Sequence, residues 1–505
     1  MKLPSKPILS LGILSLLGAA FAAGPQAYRA TSDFWGSKYT LTRTAPAPST
    51  SQGLATGAAE RIRHWNEMAV NASGLDHTPG AFFGAQLGPV RAARAMAIVH
   101  IAVFEAVNAI DGKYKSFIGM SSAGAETSMQ CAVAQAAHDT LCAMFPLQKV
   151  QFDTVLNDEL SKAPKGKTTK NGIKLGADCA ARILALKAND GSNYVEPHIN
   201  IDFIPSNLPG MWRQDPISQH PLALGAYWGQ VKPFVLQSGS QFRAPAPPAL
   251  NSAEYTAAYN EVKAIGGDGI VTPTIRTEEQ TNIGHFWAYD GTPSLCAPPR
   301  LYNQITMHIA DQMGTSANPL ELARLLALVN TAMADAGIAS WETKFFYQYW
   351  RPITAIRESD PGTGPTGYGD GNADTVGDVN FTPLGAPASN LTGPNFTPPF
   401  PAYTSGHATF GGALFQTLRN YYGTDNIAFT FTSDEFNGVT RDNQGNVRPL
   451  LPRSFTSLSQ AEEENGQSRI YLGIHWTWDK TEGIQQGRKV ADYVFANAFT
   501  KRKGK

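Results

Sequence analysis

Little in this sequence marks it for a charged polymer or a lipid bilayer. Its 41 Lys and Arg are balanced by 41 Asp and Glu, for a formal net charge of zero. That removes any global electrostatic case for nucleic acid or an anionic membrane as partner. Beyond the N-terminus no run reads as long and apolar enough to cross a membrane, which predicts a chain without spanning helices. Cysteine is scarce, with Cys131, Cys142, Cys179 and Cys296 only. None of their spacings suggests zinc. In an oxidising compartment four cysteines allow two bridges in three pairings, or they stay free in the core. Cys131 and Cys142 are expected to share one helix, about 16 Å apart by helical rise, too far to pair with each other. Alternating strand-like runs are few, so a sheet-dominated fold is excluded.

What is present is mostly helical. The chain has 505 residues, 42% of them hydrophobic, enough to bury one large core or two smaller ones. Residues 1–22 read as a secretory signal: Lys2 and Lys6, an apolar run from Ile8 to about Leu17, then Ala20-Phe21-Ala22 as the cleavage site. This predicts secretion, extracellular or periplasmic. An N-terminal helical half is expected over 23–250. It includes a long apolar-faced helix Val90–Ile110, with His100 a hydrogen-bonded core histidine and Glu105 a paired carboxylate, and further helices at Thr127–Met144, Lys149–Ser161 and Asn171–Ala188. From Val195 to Leu250, Pro, Gly, Trp and Gln replace periodic runs, and Trp212, Trp228 and Phe234 mark a packed connection. A C-terminal helical half over 251–505 should contain Glu278–Trp287, Arg300–Met313 and Pro319–Trp350. The Gly-, Pro- and Asp-rich stretch Glu358–Thr397 reads as a solvated loop. Its Asp360, Asp370, Asp374 and Asp378 do not fit an EF-hand. Asn71, Asn390 and Asn395 open N-x-S/T triplets. The fold class is therefore mainly α, two helical bundles, with the chemistry in the C-terminal one.

That chemistry centres on PFPAYTSGHATFGGALFQTL, Pro399 to Leu418. Thr404 and Ser405 are good helix N-caps, and Gly406 lets a backbone N–H approach a ligand closely. A helix starting there aims free N–H groups and a positive dipole end at an anion, with His407 on the rim. Upstream, Lys344 and Arg351 are seven residues apart. On one helix this places both cations on one face, and Pro352 should end it. Downstream lie Arg469, His475 and Asp479. Arg469 and His475, six apart, would sit about 120° off a common helical face. The helix should therefore end near Gly473 and leave His475 on a turn.

The series K-x6-RP, SGH and SR-x3-G-x-H-x3-D (Lys344, Arg351, Pro352, Ser405, Gly406, His407, Ser468, Arg469, Gly473, His475, Asp479) resembles the signature of vanadium-dependent haloperoxidases and type-2 phosphatidic acid phosphatases. The middle motif is usually PSGH, and Thr404 stands in place of its proline. Phe286-Trp287-Ala288-Tyr289-Asp290-Gly291 and Pro298-Pro299-Arg300-Leu301-Tyr302-Asn303-Gln304 are similar to the secreted chloroperoxidase branch.

The resemblance implies a vanadate cofactor bound by Lys344, Arg351, Ser405, Gly406 and Arg469, with His475 as the vanadium ligand and His407 as acid–base. It implies hydrogen peroxide and halide as substrates, with an organic acceptor as a further partner; no oligomeric state follows. His407 would take a proton from peroxide and Lys344 would polarise the oxygen that halide attacks, giving hypohalous acid. Asp290 would pair with Arg469 and Asp479 would steer His475, although Asp479 also reads as an ordinary helix-start carboxylate. Trp341, Pro398 and Phe400 resemble the apolar halide side of chloroperoxidases, where bromoperoxidases carry a histidine in place of Phe400. The alternative implied by the same cradle is a secreted acid phosphatase acting through a phosphohistidine at His475.

Overall fold

Helix punctuation in this chain is local and strong. Asn318 precedes Pro319, and its side-chain oxygen accepts from the Leu320 and Glu321 N–H groups at 3.0 and 3.2 Å. Thr277 and Gln280 form a reciprocal capping box, and the Ser128, Ser252 and Ser457 side chains accept from the N–H groups of Cys131, Tyr255 and Gln460. The computed structural model describes residues 28, 30–41 and 57–502; the expected signal at 1–22 lies outside them. Among the described residues the α-helices run α1 Thr31–Trp35, α2 Ala58–Asp76, α3 Pro89–Asp111, α4 Met129–Met144, α5 Lys149–Ser161, α6 Lys167–Lys187 and α7 Ala253–Ile265. They continue α8 Glu278–Phe286, α9 Pro298–Gln312, α10 Pro319–Tyr347, α11 Pro352–Glu358, α12 Gly406–Tyr422, α13 Leu458–Tyr471 and α14 Thr477–Asn497. Among the described residues the strands form two antiparallel pairs, β1 Thr40–Leu41 with β2 Leu391–Thr392, and β3 Phe429–Phe431 with β4 Arg453–Phe455, beside a few isolated bridges. The protein is mainly α.

The centre is α10, apolar on nearly every side and packed against α3, α12 and α14. A helix hydrophobic all round belongs inside a protein or a membrane. Both α3 and α10 are long and apolar enough to span a bilayer, contrary to the sequence expectation. In each, 94% of the apolar window is buried within the protein. They missed notice because Arg91, Arg94, His100, Glu105 and Asp335 interrupt the runs. Those polar groups find local partners: Arg91 bonds Glu196, Arg94 bonds Asp190, and Glu105 accepts from Ser116 Oγ and the Phe117 N–H. His100 is a buried core residue as expected, with its Nε2 unpartnered.

The connection between Val195 and Leu250 is packed, with Trp212 and Trp228 in the core. Asp335 of α10 latches it by accepting from the Phe234, Val235 and Leu236 N–H groups at 2.7, 2.7 and 2.9 Å. The Glu358–Thr397 stretch is less solvated than its composition predicts. Asp370 is buried and accepts from Thr375 Oγ1 at 2.7 Å, and Asp360 accepts from the Gly377 N–H at 2.8 Å. Asn71 and Asn390 are also buried, so the folded chain does not present either as a glycan acceptor. All four cysteines are free, and Cys131 and Cys142 do share α4.

Candidate active site

Four separated pieces of chain converge where α12 begins. Ser405 is its N-cap, extended at φ −65° and ψ 122°, with Oγ 3.4 Å from the Ala408 N–H. The Ser405 N–H itself donates to the Asp479 carbonyl at 3.0 Å, which ties the start of α12 to the first turn of α14. The first-turn N–H groups of α12 have no acceptor within the helix, so the Gly406 amide faces the site free to donate. A Cβ at Gly406 would stand 3.2 Å from two atoms of the Trp341 ring and 4.0 Å from Lys344 Cε. A side chain there would crowd the Trp341 ring by a few tenths of an ångström.

Lys344 lies in the last turn of α10, and the helix stops before Arg351. Gln348 adopts left-handed φ 48° and donates its N–H to the Lys344 carbonyl at 2.8 Å. The backbone of 348–350 then bonds to the connection: Trp212 N–H donates to the Gln348 carbonyl at 2.7 Å, and Trp350 N–H to that of Gly210 at 2.9 Å. Arg351 is the extended N-cap of α11 with Pro352 at its first position. Lys344 and Arg351 therefore do not share a helix face, and Pro352 opens a helix where it was expected to end one. The break still delivers both cations to one place, each 5.1 Å from the centre of the Phe400 ring. Lys344 Nζ donates to the Pro401 and Ala402 carbonyls at 2.9 and 3.0 Å, which leaves its third N–H.

The downstream break is the one the sequence predicts. α13 ends at Tyr471, Gly473 takes φ 72°, and His475 sits on the turn before α14. The His475 Nδ1–H donates to Asp479 Oδ2 at 2.8 Å, leaving Nε2 as a lone pair that accepts from Arg351 Nη1 at 2.9 Å. Asp479 therefore has both roles weighed from sequence: it steers the imidazole, and as a helix-start carboxylate it accepts from the Trp476 N–H at 3.1 Å. Arg469, on the last turn of α13, donates Nη2–H to Asp290 Oδ1 at 2.6 Å. His407 donates Nε2–H to the Ala288 carbonyl at 2.5 Å, so Nδ1 is its basic nitrogen. Trp341 and Phe400 meet at 4.8 Å between ring centres, and with Pro398 they form the apolar wall of a cleft of about 570 Å³ that also exposes His407, Arg469 and His475.

The electrostatics of this cluster call for an anion. Lys344, Arg351 and Arg469 are fully buried against two carboxylates, Asp290 and Asp479. Burial, reinforced by Arg351, holds the Lys344 ammonium well below its ordinary range, and burial pushes the Arg351 guanidinium down to about 9. Burial likewise holds His475 and His407 well below the usual imidazole range, with neighbouring cations adding to the effect. Burial raises Asp479 to about 7 against the pull of its hydrogen bond and the cations. Arg351 Nη2 and Arg469 Nε and Nη1 are buried donors without a partner, each costly as it stands. A compact oxyanion would satisfy those N–H groups and reverse the like-charge repulsion. The cradle fits vanadate: the two guanidinium forks would hold its oxygens, and His475 Nε2 would be the ligating nitrogen.

Several participants escaped the sequence reading. Phe34, Trp35, His220 and Leu224 line the same cleft, although each lies outside every quoted motif. Tyr302 OH and Asn465 Nδ2 both donate to the His407 carbonyl, at 3.1 and 2.9 Å, fixing the first turn of α12. Asn465 stands four residues before Arg469 on α13, so helical spacing is the one signal that pointed to it.

A family model described as the VCPO second helical-bundle domain matches residues 324–504. The vanadium chloroperoxidase of Curvularia inaequalis is 32% identical over 503 aligned positions, covering 83% of this chain and 78% of that protein. A bacterial vanadium-dependent iodoperoxidase shares the fold with a TM-score of 0.67 at 23% identity, over 88% of this chain and 98% of its own. A holo-type bacterial vanadium-dependent chloroperoxidase does so with a TM-score of 0.59 at 16% identity, over 81% and 92%.

Proposed function

From the premise that this chain belongs to the vanadium haloperoxidase family, we propose that it binds vanadate at the junction of α10, α12 and α14 and uses hydrogen peroxide to oxidise chloride and bromide to hypohalous acid. The observation that carries the reading is the set of unpartnered buried N–H groups of Arg351 and Arg469 beside the His475 Nε2 lone pair, which Arg351 Nη1 meets at 2.9 Å. Bound vanadate supplies a Lewis-acidic centre that activates peroxide without changing its own oxidation state.

The chain's own residues do the rest. Asp479 fixes the tautomer of His475 and raises its basicity as a ligand. Arg351, Arg469 and Lys344 neutralise the oxyanion, and the Gly406 N–H and Ser405 Oγ add neutral donors. His407 Nδ1 takes the proton of incoming peroxide, since Nε2 is committed to the Ala288 carbonyl. The spare N–H of Lys344 draws electron density from the oxygen that halide attacks. In net terms peroxide, halide and one proton give hypohalous acid and water. Trp341, Pro398 and Phe400 keep the halide side dry, which favours chloride as well as bromide.

The segment read as a secretory signal at 1–22 supports a location outside the cytoplasm. Purified protein should be assayed with peroxide and chloride, bromide or iodide, with and without vanadate, beside a phosphate monoester. We expect vanadate-dependent oxidation of all three halides. Turnover of bromide and iodide alone would overturn the chloride assignment. Ester cleavage without vanadate-dependent halogenation would favour the acid phosphatase reading, in which His475 carries the phosphoryl group.

A further inference from the structure

A second group of ligand-bearing side chains lies where α4 meets α5, and none of its members lines the active-site cleft. His138 and Cys142 are one helical turn apart on α4, and Asp153 faces them from α5 across the short 3₁₀ turn Pro146–Gln148. The His138 Nε2, Cys142 Sγ and one Asp153 carboxylate oxygen all lie within 4.8 Å of one another. His138 Nε2 is 3.5 Å from Cys142 Sγ and 2.9 Å from Asp153 Oδ1. Zinc bonds of about 2.0 Å to nitrogen and 2.3 Å to sulfur at a tetrahedral angle put N and S about 3.5 Å apart. The nitrogen–sulfur separation therefore already matches a tetrahedral site, and the carboxylate oxygen needs to withdraw only slightly.

We propose that His138 Nε2, Cys142 Sγ and Asp153 Oδ1 bind a borderline divalent cation of the zinc class, with water completing the tetrahedron. The surroundings are built for it. On the far side of the ring, His138 Nδ1 is 2.7 Å from Asp139 Oδ1, the carboxylate–histidine–metal arrangement that fixes the tautomer with Nε2 free to ligate. Asp139 is itself held by Gln135 Nε2 at 2.7 Å. One thiolate and one coordinating carboxylate neutralise a divalent ion, so the half-buried site gains no net charge. Lys149 bonds both Asp153 oxygens, at 2.7 and 2.6 Å, and can keep Oδ2 when Oδ1 turns to the metal. Cysteine spacing could not reveal this site, because its three ligands are of three residue types and one comes from the next helix. The metal would clip α5, whose buried face is only Phe152, Leu156 and Glu159, onto α4.

The competing arrangement is a protonated imidazole lying between Asp139 and Asp153. Cobalt(II) distinguishes the two. Untagged, vanadate-loaded protein titrated with Co²⁺ should develop a thiolate-to-cobalt charge-transfer band and the intense visible bands of a four-coordinate site, saturating at one equivalent. Zn²⁺ should bleach them. Cys142→Ser should remove the charge-transfer band while keeping halide oxidation, since Cys142 does not line the active-site cleft. Asp139→Asn should weaken cobalt binding about 10- to 100-fold. Absence of the band in the wild-type protein, or its survival in Cys142→Ser, overturns the proposal.

Discussion

At the scale of single residues, the two site histidines are held by opposite hydrogen-bond patterns. His475 bonds Asp479 through Nδ1–H and keeps Nε2 as an acceptor toward Arg351; His407 gives Nε2–H to a carbonyl and keeps Nδ1. His475→Ala removes the ligating atom, so metal analysis should show vanadium lost at stoichiometric vanadate. His407→Ala should retain most of the vanadium while kcat falls about 10²- to 10⁴-fold, the usual range for a removed acid–base group. Equal loss of vanadium in both variants would refute this division of roles. These two residues, with Lys344, Arg351, Ser405, Gly406, Arg469, Asp290 and Asp479, were legible because each sits in a short motif whose local signal survives folding. The N-cap at Ser405 and the glycine at 473 act within a few residues of themselves. His220 and Trp35 were not legible: they reach the cleft only because remote segments pack there, and nothing near them in sequence marks a site.

At the scale of elements, the positions of helix breaks decide what the site contains. The break after Gly473 follows from sequence because one turn of geometry demands it. The break after Tyr347 does not, because its cause is the pairing of 348–350 with 210–212, a contact between distant stretches. A second decision lies where α12 crosses α14. A Cβ at Gly487 would stand 2.1 Å from the Thr409 carbonyl oxygen and 2.7 Å from the Ala413 nitrogen, and one at Gly412 would stand 2.5 Å from the Ile484 carbonyl oxygen. The two backbones touch, and that contact sets where Ser405 lies relative to Asp479. Gly487→Ala must push the helices apart, a strain of about 1–3 kcal/mol by the cost of overpacked cores. Thermal unfolding should show the loss, and equilibrium dialysis should show weakened vanadate binding. Gly124→Ala, in open space, serves as the neutral control; a Gly487→Ala protein as stable as that control would contradict the account.

At the scale of the whole molecule, one core runs from Phe34 to Phe499, and it encloses neutral histidines. Burial alone pushes both His100 and His220 down to about 3. In the unfolded chain they titrate near 6.5, so unfolding takes up protons once the pH falls below that value. Their contribution to stability is therefore complete above about 6.5 and is lost as pH falls towards 3, at about 1.4 kcal/mol per pH unit for each. Urea unfolding measured from pH 7 to pH 4 should show this loss. His100→Leu should reduce the slope of stability against pH by about one proton, and an unchanged slope would show that His100 ionises in place. Asp76, raised to about 6 chiefly by burial, works in the opposite sense, which is why the comparison with the variant is needed. The closing of the oxyanion seat by α14 has a consequence for biogenesis. A ribosome delivers His475, Asp479 and the backing helix after the other parts of the seat, so a nascent chain already folded through α12 still lacks the proposed ligand nitrogen and the carbonyl that anchors Ser405. Uptake of the proposed oxyanion would then wait on the docking of α14, and a polypeptide cut before His475 should not retain it.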